Sequence, residues 1–196
     1  MKTINKFILA FAFITGIFSF TSCGYNQIIA AREGVDAQWA NVENRYQERN
    51  DLIPNLVATV KGYAAQESEI FTSIADSRSK IGGTKIDSSI TDDPAKLEQY
   101  QKIQSELSTG IGRLLAIQEA YPELKSNENF KDLQSQLEGL ENRIATERKR
   151  YNDAAQNYNT MIQTFPKLIY AKIFHFTPKA YFKAEESASK VPVVQF

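Results

Sequence analysis

Apolar side chains recur at steps of three and four through most of this chain. The first series is Tyr25, Ile28, Val35, Trp39, Val42 and Tyr46, with Arg32 its one polar member, and it marks one buried face of a helix. A second series continues with Ile53, Leu56, Val57, Val60, Tyr63, Ala64, Ile70, Phe71 and Ile74. Asp51-Leu52-Ile53-Pro54 lies between them, and proline inside a helix costs about 3 kcal/mol whereas in a first turn its missing N–H is harmless. Two readings follow. A break near Asn50, with Asp51 as N-cap, gives segments of about 25 and 28 residues, close to the two that follow at about 27 and 38, so that four helices match in length at 1.5 Å per residue. One helix kinked at Pro54 is the other, because Tyr46 and Ile53 are seven apart and the stripe keeps its phase. The lengths favour the break.

Gly82-Gly83 ends the second helix, and Ile81 to Asp93 reads as a loop. Asp93-Pro94 opens the third helix with an N-cap and a first-turn proline, and its buried face is Leu97, Tyr100, Ile103, Leu107, Ile111, Leu114, Leu115 and Tyr121. Gly110 and Gly112 weaken it by about 1 kcal/mol each, which points to close packing there. Tyr121-Pro122 closes it. Ser126 and Asn127 are candidate caps for the last long helix, with the stripe Phe130, Leu133, Leu137, Leu140, Ile144, Tyr151, Ala154, Tyr158, Met161 and Phe165. No segment alternates as a strand does. The expected fold is all-α, an antiparallel up-and-down four-helix bundle over residues 23–182, with a tail over 183–196 that is irregular from Glu185.

The N-terminus obeys a different pattern. Met1 to Lys6 is short and positive and Phe7 to Phe20 is an apolar run, the n-region and h-region of a secretory signal. It is short beside the roughly 20 apolar residues of a membrane span. Phe20-Thr21-Ser22-Cys23 resembles the lipobox of bacterial lipoproteins, with Phe20 where an aliphatic residue is usual. That implies a signal peptide over residues 1–22 and lipid, such as palmitate, on Cys23, at about 0.8 kcal/mol per buried methylene. The expected location is the bacterial cell envelope, facing outside the cytoplasm; Gly24 carries no aspartate retention signal, so either membrane is open. An uncleaved anchor is the competing reading. In a four-helix arrangement the last helix returns to this end, where Leu168, Ile169, Tyr170, Ile173, Phe174 and Phe176 make a stretch dense in apolar side chains, with Lys167, Lys172 and Lys179 among them. This stretch reads either as a short helix capping the bundle or as a segment for the bilayer interface.

Charge and composition mostly exclude. The chain has 23 basic and 23 acidic residues, and loss of Lys2 and Lys6 leaves 21 against 23, a net of −2; no basic excess suggests nucleic acid. Cys23 is the only cysteine and His175 the only histidine, so a Cys/His or Ser/His catalytic pair and a multi-histidine zinc site lack partners within the chain. Glu138, Glu141 and Glu147 lack the Glu-x-x-His pairs of carboxylate-bridged metal bundles and read as a solvated face. Arg143, Arg148, Lys149 and Arg150, with Arg45 and Arg49, read as helix-surface pairing with neighbours such as Glu141 and Glu147, or as a surface for anionic headgroups or an acidic partner. Tyr25, Tyr151 and Tyr158, two of them followed by asparagine, read as core with hydroxyls bonded at the rim.

Several runs in order carry a family resemblance. They are Tyr25-Asn26, Val35 to Asn44 with Trp39, Asp51 to Val57, Val60 to Ala64, Glu119 to Lys125, Asn129-Phe130, Leu137 to Ile144, Tyr151-Asn152, Tyr158-Asn159 and Phe165-Pro166. Over Tyr25 to Phe182 the chain resembles the LemA family of bacterial envelope proteins. The resemblance implies an N-terminal membrane segment and an extracytoplasmic helical bundle; the lipobox-like leader and Gln66, where many relatives have histidine, depart from it. No catalytic, metal or cofactor-binding residue is expected. The leading expectation is a non-catalytic interaction module held at the membrane by Cys23 and presenting helix faces to an envelope protein. Self-association along the first helix, as a structural protein, and a small-ligand or enzymatic bundle using carboxylates and tyrosines are the alternatives.

Overall fold

The computed structural model describes residues 2–83 and 88–184, and for residues 2–23 and 88 the backbone alone. The described residues form six α-helices, two 3-10 turns and no strand: α1 (Lys2–Lys61), α2 (Ser68–Gly83), α3 (Pro94–Ala116), α4 (Pro122–Ser126), α5 (Glu128–Gln163) and α6 (Lys167–Ile173). The first helix does not break near Asn50; it runs through Pro54 to Lys61. Ile53, Leu56 and Val60 are each fully buried on one unbroken face, and burying such side chains contributes about 1.5–3 kcal/mol apiece. Together they outweigh one proline. The helix ends instead at Gly62, where Tyr63 and Ala64 both donate to the Val60 carbonyl.

Moving that boundary changes the architecture from four matched helices to one long pair. From Gly24 to Lys61 α1 spans about 57 Å and α5 about 54 Å at 1.5 Å per residue, and the two pack antiparallel along their whole lengths. The shorter α2 and α3 form a hairpin whose body packs on the distal half, while the first turns of α3 carry Leu97 and Tyr100 into the proximal core. There Ile53, Leu56, Val60, Ile74, Leu107, Leu114, Phe130 and Leu137 make one core cluster. A Cβ on Gly110 would come within 3.1 Å of Ile74, so this glycine does mark close packing; Gly112 has open space around it. The Asp93 carboxylate caps α3 through the Ala95 and Lys96 N–H groups, and Asn127 caps α5 through Phe130 N–H.

On the proximal half the stripe of α1 meets α5, α6 and an extended strap, Thr177 to Lys183. Ile28, Val35, Trp39, Tyr46, Tyr151, Tyr158, Ala180 and Phe182 are buried together. Along α5 the buried face slips from the expected Ala154 and Met161 to Ala155 and Ile162, because a seven-residue repeat drifts about 20° per heptad on a straight helix of 3.6 residues per turn. Phe165 falls beyond the helix and is 81% exposed. The expected tail from Glu185 to Phe196 lies outside the described residues.

Candidate functional site

The feature that organises the proximal half is the way the strap is held. Asn159 donates from Nδ2 to the Lys179 carbonyl and accepts from the Lys179 N–H through Oδ1, each at 2.8 Å. Asn152 treats Phe182 in the same way at 3.0 and 2.9 Å, and Gln101 of α3 treats Lys183 in the same way at 2.7 and 3.2 Å. The spacing has a geometric cause. Seven residues of helix rise about 10.5 Å, and three residues of extended chain span about 10 Å, so asparagines one heptad apart meet strap residues three apart.

Lys179 is the pin of this strap. Its ammonium group is almost fully buried, paired with Asp36 of α1 at 2.9 Å and with Asp92 at 3.0 Å, and it donates to the Thr91 hydroxyl at 2.9 Å. A buried cation needs such partners to offset desolvation. The Ala180 N–H donates to the Thr91 carbonyl, while Tyr151 and Tyr158 donate their hydroxyls to the Ala180 and Thr177 carbonyls. Both tyrosines are therefore core residues bonded at the rim, as their positions predict. Burial pushes the phenols of Tyr100, Tyr151 and Tyr158 above the ordinary tyrosine range. Phe182 closes the site, stacked on Trp39, edge-on to Tyr151 and beneath the Arg148 guanidinium at 4.8 Å.

Arg49 forms the second buried polar centre, at mid-height. It is 1% exposed, donates to Ser108 at 2.6 Å and to the Gln104 side chain, pairs with Glu141 at 2.8 Å, and lies over the Tyr46 ring. The polar cavity beside it has a volume of about 20 Å³, room for one water and no organic ligand.

The other residues singled out by the sequence disperse. Glu138 accepts from Gln134, Glu141 binds Arg49 across helices and Glu147 pairs with Arg150, so the three carboxylates do not converge. Among the described residues no group of three or more His, Cys, Asp or Glu side chains is placed to hold a metal. Arg45 and Lys149 make the expected local pairs, with Glu48 and Asp153, and Arg143 lies 3.8 Å from Glu48. The Cys23 side chain is outside the described residues. Immediately beyond it, a Cβ on Gly24 would come within 2.9 Å of the Tyr170 ring, and Tyr25 packs on Phe174 and Phe176. Among the described residues no helix is long and apolar enough to cross a membrane.

Sequence reasoning missed the burial of Arg49 and Lys179 and the clamp itself. The clamp had a signal, the Tyr-Asn pair repeated at positions 151–152 and 158–159. Lys179 had none.

Long helices enclosing a pinned strap, with buried polar groups that answer one another, define an all-helical protein with its polar interior spent on holding the fold. Residues 38–196 match the LemA family. The chain is 30% identical to magnetosome protein MamQ 1 of Paramagnetospirillum magneticum, over 87% of this chain and 68% of that protein, and equally so to magnetosome protein MamQ of Magnetospirillum gryphiswaldense. Protein LemA of Metamycoplasma hominis is 24% identical over 92% of this chain and 78% of its own length. The chain belongs to the LemA family.

Proposed function

We propose that this LemA-family protein is a lipid-anchored, non-catalytic interaction module of the bacterial cell envelope, held at the membrane through Cys23. One observation carries the reading. No linker separates Cys23 from the packed body, because a side chain at Gly24 would already meet the Tyr170 ring and Tyr25 packs on Phe174. A lipid at Cys23 then keeps the proximal end of the domain at the membrane and lets the α2–α3 hairpin reach up to about 57 Å from its surface, where its polar faces meet an envelope protein. The buried polar groups favour this over catalysis. Arg49 and Lys179 are spent on carboxylates and amides of the same chain, and the cavity at Arg49 takes one water.

Self-association along α1 has less support, since its stripe is covered by α5, α6 and the strap. The test is in-cell crosslinking of the wild type beside Cys23→Ser, with mass spectrometry of what co-purifies. An envelope protein captured by the wild type and lost with the anchor is the expected result. Recovery of the protein alone would replace the module with a self-assembling structural role.

A further inference from the structure

Large exposed apolar side chains are concentrated on one short stretch. Phe165, Ile169, Ile173 and Phe174 are exposed by 81%, 49%, 61% and 54%, and beyond them only Tyr63 and Tyr181 stand out among the described residues. Ile169 and Ile173 are one turn apart on the outward face of α6, and the exposed rings of Phe165, two residues before the helix, and Phe174, at its end, flank them. The inner side of α6 is occupied, with Ala171 buried and Tyr170 against Gly24. Lys172 and His175 are exposed beside the stripe. An apolar groove of about 470 Å³, lined by Ile162, Leu168, Ala171 and Phe176 among others, continues this surface on the far side of α6.

Position decides what covers such a face. The stripe lies on the element that touches Gly24 and Tyr25, one and two residues from Cys23, at the end of the domain from which the apolar run Phe7 to Phe20 departs. The distal half of the domain, about 35 Å or more away along α5, carries no comparable patch among the described residues. An apolar helix face bordered by lysine, level with a lipid attachment point, has the make-up of an interfacial membrane segment.

We propose that α6 and its flanking residues Phe165 and Phe174 insert into the headgroup–acyl boundary of an anionic bilayer, giving the domain a second point of membrane contact. The inference rests on attachment at Cys23 for its placement, and the two can fail separately. With two contacts the domain cannot swing freely about one lipidated residue, so the hairpin faces its partner in a fixed direction.

The experiment uses the mature full-length protein carrying Ile173→Cys or, as a control on distal α5, Ser135→Cys, labelled with the environment-sensitive dye NBD. Each is reconstituted in phosphatidylethanolamine–phosphatidylglycerol vesicles with and without nitroxide-labelled lipid. Flotation and the intact mass of each sample report attachment and lipidation at Cys23 independently of the dye. The expected result is blue-shifted emission at 173 that nitroxide lipid quenches at least twofold, with no quenching at 135. An aqueous spectrum at 173 in a lipidated, floating sample would overturn the insertion and leave the anchor standing. A blue shift without lipid quenching would also overturn it, assigning the face to a second protein copy. Quenching at 173 in a Cys23→Ser background, where the dye has no second thiol, would uphold insertion independently of lipid at Cys23. Ile169→Ser with Ile173→Ser, both at exposed positions, is expected to weaken flotation of Cys23→Ser protein severalfold while leaving its helical circular dichroism unchanged.

Discussion

Replacing Asn159 by alanine tests how strongly the strap is fastened. The substitution removes two hydrogen bonds of 2.8 Å, both to Lys179, and leaves a backbone N–H and a carbonyl unpaired at a residue that is 3% exposed. A typical bond contributes about 0.5–1.5 kcal/mol net, and each group left buried and unpaired costs about 1–3 kcal/mol. The two sites together give about 2–4 kcal/mol, with partial relaxation of the strap setting the lower end. Gln101→Ala is the internal control. It removes the same pair of bonds, but to Lys183, which is exposed, so water replaces them and the expected loss is below about 1 kcal/mol. Urea unfolding of detergent-solubilised protein, followed at 222 nm, measures both, and hydrogen exchange at residues 177–183 reports whether the strap loosens first. Equal losses for the two variants, or a loss under about 1 kcal/mol for Asn159→Ala, would refute the view that buried amide clamps hold this segment.

Three further outcomes follow from the same geometry. Arg49→Ala is expected to cost about 3–5 kcal/mol in urea unfolding, because it strips Glu141, Gln104 and Ser108 of their donor and empties space beside Tyr46; Arg49→Met, which keeps the volume and removes the buried charge, is expected to cost clearly less. Tyr100, Tyr151 and Tyr158 titrate above their unfolded value of about 10 because burial disfavours the phenolate. Their contribution to stability is therefore complete below pH 10 and declines above it, by up to about 1.4 kcal/mol per pH unit for each residue. Absorbance at 295 nm is expected to show three of the nine tyrosines ionising only as helical signal is lost, and smooth early titration of all nine would contradict the burial. Pro54→Ala, at an exposed position inside α1, restores a backbone donor and is expected to raise the unfolding midpoint, by as much as about 3 kcal/mol in stability; a fall would mean that the proline shapes a bend the packing requires.

The helical class, the buried stripes and both principal caps were legible because they depend on local chemistry. Asp93-Pro94 and Asn127 act within three residues of themselves, and period alone places Ile28, Trp39, Leu107 and Tyr151 inside. The boundary at Pro54 was not legible, since local cost favoured a break while burial of Ile53, Leu56 and Val60 against distant helices favoured continuity. Length matching then misled, because α1 pairs with α5 and not with its sequence neighbour. The strap was invisible for a related reason. Thr177 to Lys183 has no periodicity of its own, and its order comes from side chains 19 to 143 residues away in sequence. Only the repeated Tyr-Asn pair on α5 hinted that something extended lies along that face.

Membrane association organises every functional proposal made for this LemA-family protein, from the distal hairpin as a partner-facing surface to the apolar stripe on α6. Its most direct test is the intact mass of the mature protein extracted from membranes of the native bacterium, with Cys23→Ser beside it. A chain beginning at Cys23, heavier than its sequence by a diacylglyceryl group with or without a further acyl chain, and absent from Cys23→Ser cells, is the predicted result. A chain that retains Met1 to Ser22, or one that begins at Cys23 with an unmodified thiol, would contradict the account.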